Sequence, residues 1–117
     1  MNSSSEFDAS QLLKGALDLA VLAVLATSED YGYGIARRVW DAGLPDVREA
    51  SIYGTLNRLF RSGLLTTRVE PSASGPHRKY YALSAAGRSY LHQGRQAWQA
   101  TTTAVNDLLE TSVKGAA

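Results

Sequence analysis

Two short helices joined by a brief connection, a basic hairpin after them, and a final helix longer than either predict a mainly α fold with a small β-hairpin. That is the order of a winged helix-turn-helix plus a long C-terminal dimerisation helix. At 117 residues the chain suits one such domain and is small for a self-sufficient two-layer enzyme. The expected divisions are a flexible arm over residues 1–10, the winged helix-turn-helix over 11–83, the dimerisation helix over 84–113 and a flexible tail over 114–117.

The first nine residues are polar and Ser-rich, and Ser10 is placed to cap a helix whose body is Gln11 to Thr27. From Leu17 to Leu25 that helix is almost wholly apolar, so it must be covered on every side, either at the centre of the domain or in part by another subunit. A turn over Ser28 to Tyr33 leads to a second helix, about Tyr33 to Ala42, which Gly43-Leu44-Pro45 ends. The third helix follows Asp46 to Ala50. In it Ile52, Leu56, Leu59 and Phe60 fall at i, i+4, i+7 and i+8, the apolar stripe of a helix lying on a core. Ser51, Thr55, Arg58, Arg61 and Ser62 take the other side until Gly63 stops it.

Leu64 to Glu70 alternates as a strand does, and the Pro71 to Pro76 segment has the composition of a loop. Arg78 to Leu83 is the return strand, which gives a hairpin with a long flexible tip and a shoulder of His77, Arg78 and Lys79. Ser84 caps the last helix, which runs to about Val113 and is roughly 45 Å long. Leu91, Gly94, Trp98, Thr101, Val105 and Leu108 recur along it at spacings of 3 and 4, a loose heptad seam that needs a partner.

Composition narrows the function. The 44% hydrophobic and 20% charged residues are ordinary for a folded chain, and the absence of cysteine excludes disulfides, thiol catalysis and thiolate metal sites. His77 and His92 have no ligand-like spacing, and no paired carboxylates, phosphate loop or cofactor motif is present, so neither a cofactor nor an enzyme is expected. No stretch reads as long and apolar enough to span a membrane, and the N-terminus lacks the order of a signal peptide, so elimination places the chain in the cytoplasm. The net charge of +1 hides an asymmetry. Residues 1–36 hold one lysine against five acids, net −4, whereas residues 37–81 hold eight cations against four acids, net +4. Local positive charge of that kind steers a protein to phosphates.

The words of the sequence resemble one family, the PadR-type transcriptional regulators. Leu13-Lys14-Gly15 with Leu17-Asp18-Leu19 and Val21-Leu22 looks like its opening helix. Gly32-Tyr33-Gly34-Ile35 matches its G-Y-x-I start of helix two. Ser51-Ile52-Tyr53-Gly54-Thr55-Leu56-Asn57-Arg58-Leu59 with Gly63-Leu64-Leu65 is similar to its recognition helix, with Gly54 where proline often stands. Arg78-Lys79-Tyr80-Tyr81-Ala82-Leu83-Ser84-Ala85-Ala86-Gly87 looks like its wing strand and final-helix start. The match runs from Leu12 to about Leu109, and the single last helix is similar to the family's shorter subgroup. The resemblance implies a homodimeric, ligand-responsive regulator, most often a repressor, that sets helix three and the wing on a palindromic double-stranded DNA operator.

Ser51, Thr55, Asn57 and Arg58 are the expected DNA-facing residues of helix three, with Asn57 the weakest because it lies off the Ser51–Thr55–Arg58 line. Tyr53 is expected to pack its ring and offer its hydroxyl to a phosphate. Arg78 and Lys79 of the wing suit phosphates too, though alternation puts them on opposite faces. Arg37 and Arg38 suit either DNA backbone or a solvated face. On the last helix, Trp98 among Gly94, Thr101 and other small residues is expected either to pack in the dimer seam or to wall a cavity for a small aromatic effector. A winged helix used only for protein contacts is the main alternative function, since fold does not fix function.

Overall fold

The computed structural model describes residues 6–73 and 75–115. In chain order these form α1 (Ser10–Thr27), β1 (Asp30–Tyr31), α2 (Gly32–Asp41), α3 (Glu49–Arg61), β2 (Leu65–Ser72), β3 (Gly75–Leu83) and α4 (Ala85–Gly115). The mainly α winged-helix class predicted from sequence is the class observed, with one strand more than expected. Asp30 and Tyr31 pair antiparallel with Tyr81 and Tyr80, giving a three-stranded sheet in the order β1-β3-β2.

The core lies where α1, α2 and α3 meet the sheet, around fully buried Val21, Leu22, Ile35, Ile52 and Leu56. Phe60, assigned to the same stripe, is instead 43% exposed. At about 100° per residue it sits about 80° round the helix from Ile52, on the edge of the buried face. Gly43 and Gly63 both take positive φ, 120° and 80°, immediately beyond α2 and α3. There the amides of Gly43 and Leu44 close back on Trp40 and Val39, and those of Gly63 and Leu64 on Phe60 and Leu59, the pattern of a left-handed glycine cap. The Trp40 indole N–H donates to the Val47 carbonyl at 2.6 Å and fixes the link between the two helices.

Several sequence expectations are corrected. Ser10 does not cap α1; its backbone and hydroxyl both donate to the Asp8 carboxylate, at 3.0 and 2.6 Å, so the capping acid lies two residues earlier. The wing tip is not a long loop, because the ladder continues to the Ser72–Gly75 pair. Pro71 sits at the register irregularity between Glu70 and Ser72, where a missing N–H costs no ladder bond. Ser74 of the expected tip lies outside the described residues, as do residues 1–5 of the expected arm and 116–117 of the expected tail.

α1 does pass the test of length and composition for a membrane span, with a mean hydropathy of 1.4 over 18 residues. Its second half is a core element nonetheless: Val21, Leu22 and Leu25 are buried, and Leu19, Val24 and Ala26 pack partly against them. Ser84 caps α4 as expected, accepting from the Gly87 amide at 2.9 Å while its hydroxyl donates to the Gly63 carbonyl at 2.7 Å. α4 then leaves the domain. The radius of gyration, 17.4 Å, exceeds the roughly 13 Å of a compact chain of this length because the helix projects.

Candidate nucleic-acid interface

Helix geometry sorts the side chains of α3. Ile52, Thr55, Leu56 and Leu59 are buried, so the opposite face belongs to Gly54, Asn57 and Arg61, with Ser51 and Arg58 on one flank and Tyr53 and Phe60 on the other. Thr55, expected to face DNA, is only 4% exposed and belongs to the packed face. Its polar type suggested solvent, but three residues after Ile52 it returns to the same side of the helix. Asn57 moves the other way: it lies off the Ser51–Thr55–Arg58 line because that line is not the outer face. Arg61, on the polar side in the sequence but not among the expected DNA-facing residues, stands at the centre of the exposed side, where 100° steps along the helix put it.

Tyr53 is 43% exposed, and its ring lies so close to Gly32 that any side chain there would collide with it. Partial burial, and after it the neighbouring Glu49 carboxylate, push its phenol pKa up. Ser51 borders a shallow cleft with Lys14 and Arg48, where α1 meets the start of α3.

The basic surplus of the middle segment is largely answered by the acids of the first third. Arg58 grips Asp18 of α1 through two bonds of 2.8 and 2.9 Å, which raises the arginine's pKa. Arg68 is held by Glu29 at 2.6 Å and by Glu70 at 3.1 Å, and its binding lowers the Glu29 pKa. Arg38, expected on DNA or in solvent, instead closes the end of α1, donating to the Val24 carbonyl at 2.7 Å and to Asp30 at 3.3 Å. Among the described residues, Arg37, Arg48 and Arg61 are exposed and make no ion pair or side-chain hydrogen bond.

On the wing, Arg78 lies across the ladder from Glu70 and stacks over the Tyr31 ring at 4.4 Å. Lys79 lies across from Val69, on the opposite face, 6.0 Å from the Tyr81 ring centre. The Tyr31 and Tyr80 rings meet at 5.7 Å, and Arg68 sits over Tyr80, so the wing base is an aromatic platform carrying guanidiniums. Lys79 shares its side of the sheet with Leu65 and Leu83, the side that packs on the helices.

A second feature lies at the far end. Between α1 and α4 runs an apolar groove of about 470 Å³, walled by Leu12, Leu19, Ala20, Leu91 and Trp98 with Arg95 beside them. Trp98 is 48% exposed. Gly94 and Thr101 do not line the groove: Gly94 is where Leu19 of α1 packs directly onto α4, and Thr101 faces solvent.

Comparison with known proteins agrees with this geometry. A family model described as the transcriptional regulator PadR-like family matches residues 21–93. A PadR-like transcriptional regulator from Bacillus cereus superposes with a TM-score of 0.75 at 35% identity, covering 85% of this chain and 96% of that one. A PadR family regulator from Eggerthella lenta gives 0.80 at 30% identity, over 88% and 89% of the two chains. Bacillus subtilis PadR, solved in complex with operator DNA, gives 0.60 at 28% identity over 66% of this chain and 45% of that longer one.

Proposed function

The chain belongs to the PadR-like family of transcriptional regulators, and on that footing we propose that it is a cytoplasmic, homodimeric, ligand-responsive repressor of a palindromic operator. The observation that carries the DNA-reading part is the outer face of α3. Asn57 and Arg61 stand there exposed and, among the described residues, without side-chain partners, while Arg38, Arg58 and Arg68 are all engaged within the chain. Asparagine pairs with adenine and arginine with guanine in a major groove, and small Gly54 lets the helix approach closely. Ser51, Tyr53, Arg48 and the wing residue Arg78 would meet phosphates on either side, while Lys79, on the helix-facing side of the sheet, would reach one only past the edge of the wing. Two such heads in a dimer would address half-sites about 34 Å apart.

The exposed apolar residues of the last turns of α4 support pairing with a second copy. The groove beside Trp98 is of a size suited to a small aromatic effector, with Arg95 available to an acidic or phenolic group.

Selection of bound fragments from genomic DNA, followed by titration of variants on the enriched sequence, tests the reading. Asn57→Ala or Arg61→Ala should cost roughly ten-fold or more on the operator and little on scrambled duplex. Arg78→Ala should weaken both duplexes alike. If no fragment is enriched, the protein-contact alternative replaces the DNA reading; if all three variants bind the enriched operator as wild type does, DNA is read by a surface other than the outer face of α3 and the wing. Quenching of Trp98 fluorescence by flat aromatic compounds, absent in Trp98→Leu, tests the effector site; a reporter gene behind the selected operator tests repression.

A further inference from the structure

Two arginines stand on the exposed side of α3, and their situations differ. Arg61 has no partner among the described residues, whereas Arg58, about 60° round the helix, is gripped by both oxygens of Asp18. A planar guanidinium meeting two oxygens side by side is also the geometry in which arginine takes a phosphate. The pair is open: the Arg58 side chain is 58% exposed and that of Asp18 30%, so an incoming polyanion can reach it. An exposed ion pair of this kind holds weakly enough for a phosphate to displace the carboxylate.

We propose that Asp18 is an intramolecular stand-in for a DNA phosphate, holding Arg58 back from the duplex in the free protein and thereby setting the affinity of the whole reading surface. The inference rests on the DNA-binding reading above and adds to it a residue on a different helix. Asp18 adjoins Leu19 and Ala20, which wall the groove against α4, so the hold on Arg58 and the lining of the groove belong to the same turn of α1.

The test is a titration of a random-sequence duplex of roughly 30 base pairs, about three helical turns, across a salt series. Wild type, Asp18→Asn, Arg58→Ala and the double variant are compared, with Asp18→Glu as the charge-retaining control. Asp18→Asn should bind about five-fold more tightly at low salt, and its logarithmic salt slope should steepen by about 1, the signature of one added phosphate contact. The gain should vanish when Arg58 is alanine, and Asp18→Glu should bind like wild type.

An equal gain without Arg58 would overturn the proposal, because it would reflect only the removal of a negative charge. Weaker binding by Asp18→Asn together with a lowered melting temperature would also overturn it, making the pair a mere prop for α3. Wild type that binds while Asp18→Asn binds no better refutes this proposal alone. Wild type that binds no duplex at low salt refutes the DNA-binding reading and this proposal with it.

Discussion

The two halves of α4 carry similar apolar spacing and meet opposite fates. In the first half Gly87 and Leu91 are buried and Gly94 lies under Leu19, so the helix is part of the reading domain. In the second, Val105, Leu108, Leu109 and Val113 are exposed. One seam predicted from a 3-and-4 repeat therefore has two partners: its own domain first, and beyond Trp98 whatever covers the remainder. A periodic apolar stripe states that burial is required and leaves open against what.

The sharpest way to break this contrast is at Gly87. A β-carbon there would collide with the Leu64 backbone carbonyl, which cannot swing aside as a side chain can. Gly87→Ala should therefore cost about 3 kcal/mol, or prevent folding, as overpacking against a rigid neighbour does. Chemical unfolding measures it, and a loss below about 1 kcal/mol would mean that the start of α4 is not tightly seated. Next in size is Leu91→Ala, which removes a buried side chain and should cost about 2–3 kcal/mol. A negligible loss there would place the whole helix, not half of it, outside the domain.

Most of the fold was legible because its signals are local. Spacing marked the four helices, alternation marked β2, the aromatic return after a loop marked β3, and Gly43, Gly63 and Ser84 marked where elements begin or end. What was not legible depends on long-range pairing. β1 is only two residues, and Asp30 and Tyr31 are a strand solely because Tyr81 and Tyr80 lie beside them. The fate of each arginine is likewise non-local, since Arg58 meets an acid 40 residues away and Arg68 one 39 away. Counting charge along the chain located a basic segment but not the acids folded against it. Thr55 misled because residue type outweighed helix angle, and the same angle would have promoted Asn57 and Arg61.

Gly94→Ala probes the boundary between the halves. The added methyl meets the end of Leu19, a flexible side chain that can move, and alanine favours helix over glycine by up to about 1 kcal/mol. The two effects oppose, and a net loss of roughly 0.5 kcal/mol or less is expected. A loss as large as that of Gly87→Ala would extend the tightly packed half of α4 by two turns.

The smallest effect on the domain itself should come from the bare end. Leu108→Asp with Leu109→Asp changes side chains that touch little of their own domain, so unfolding of the monomer should shift by less than about 0.5 kcal/mol. Association should respond sharply, because two carboxylates would have to be buried wherever a second copy covers those leucines. Sedimentation should therefore give a lower mass for the double variant, and the same for a chain ending at Thr103. The cut must lie beyond Trp98, since one made before Tyr90 would also strip Leu91 from the core. A variant that keeps the wild-type mass would place pairing elsewhere, with the groove face of α1 around Leu12 the next surface to test. A variant that unfolds instead would show that the second half of α4 supports its own domain after all, and the contrast between the halves would be lost.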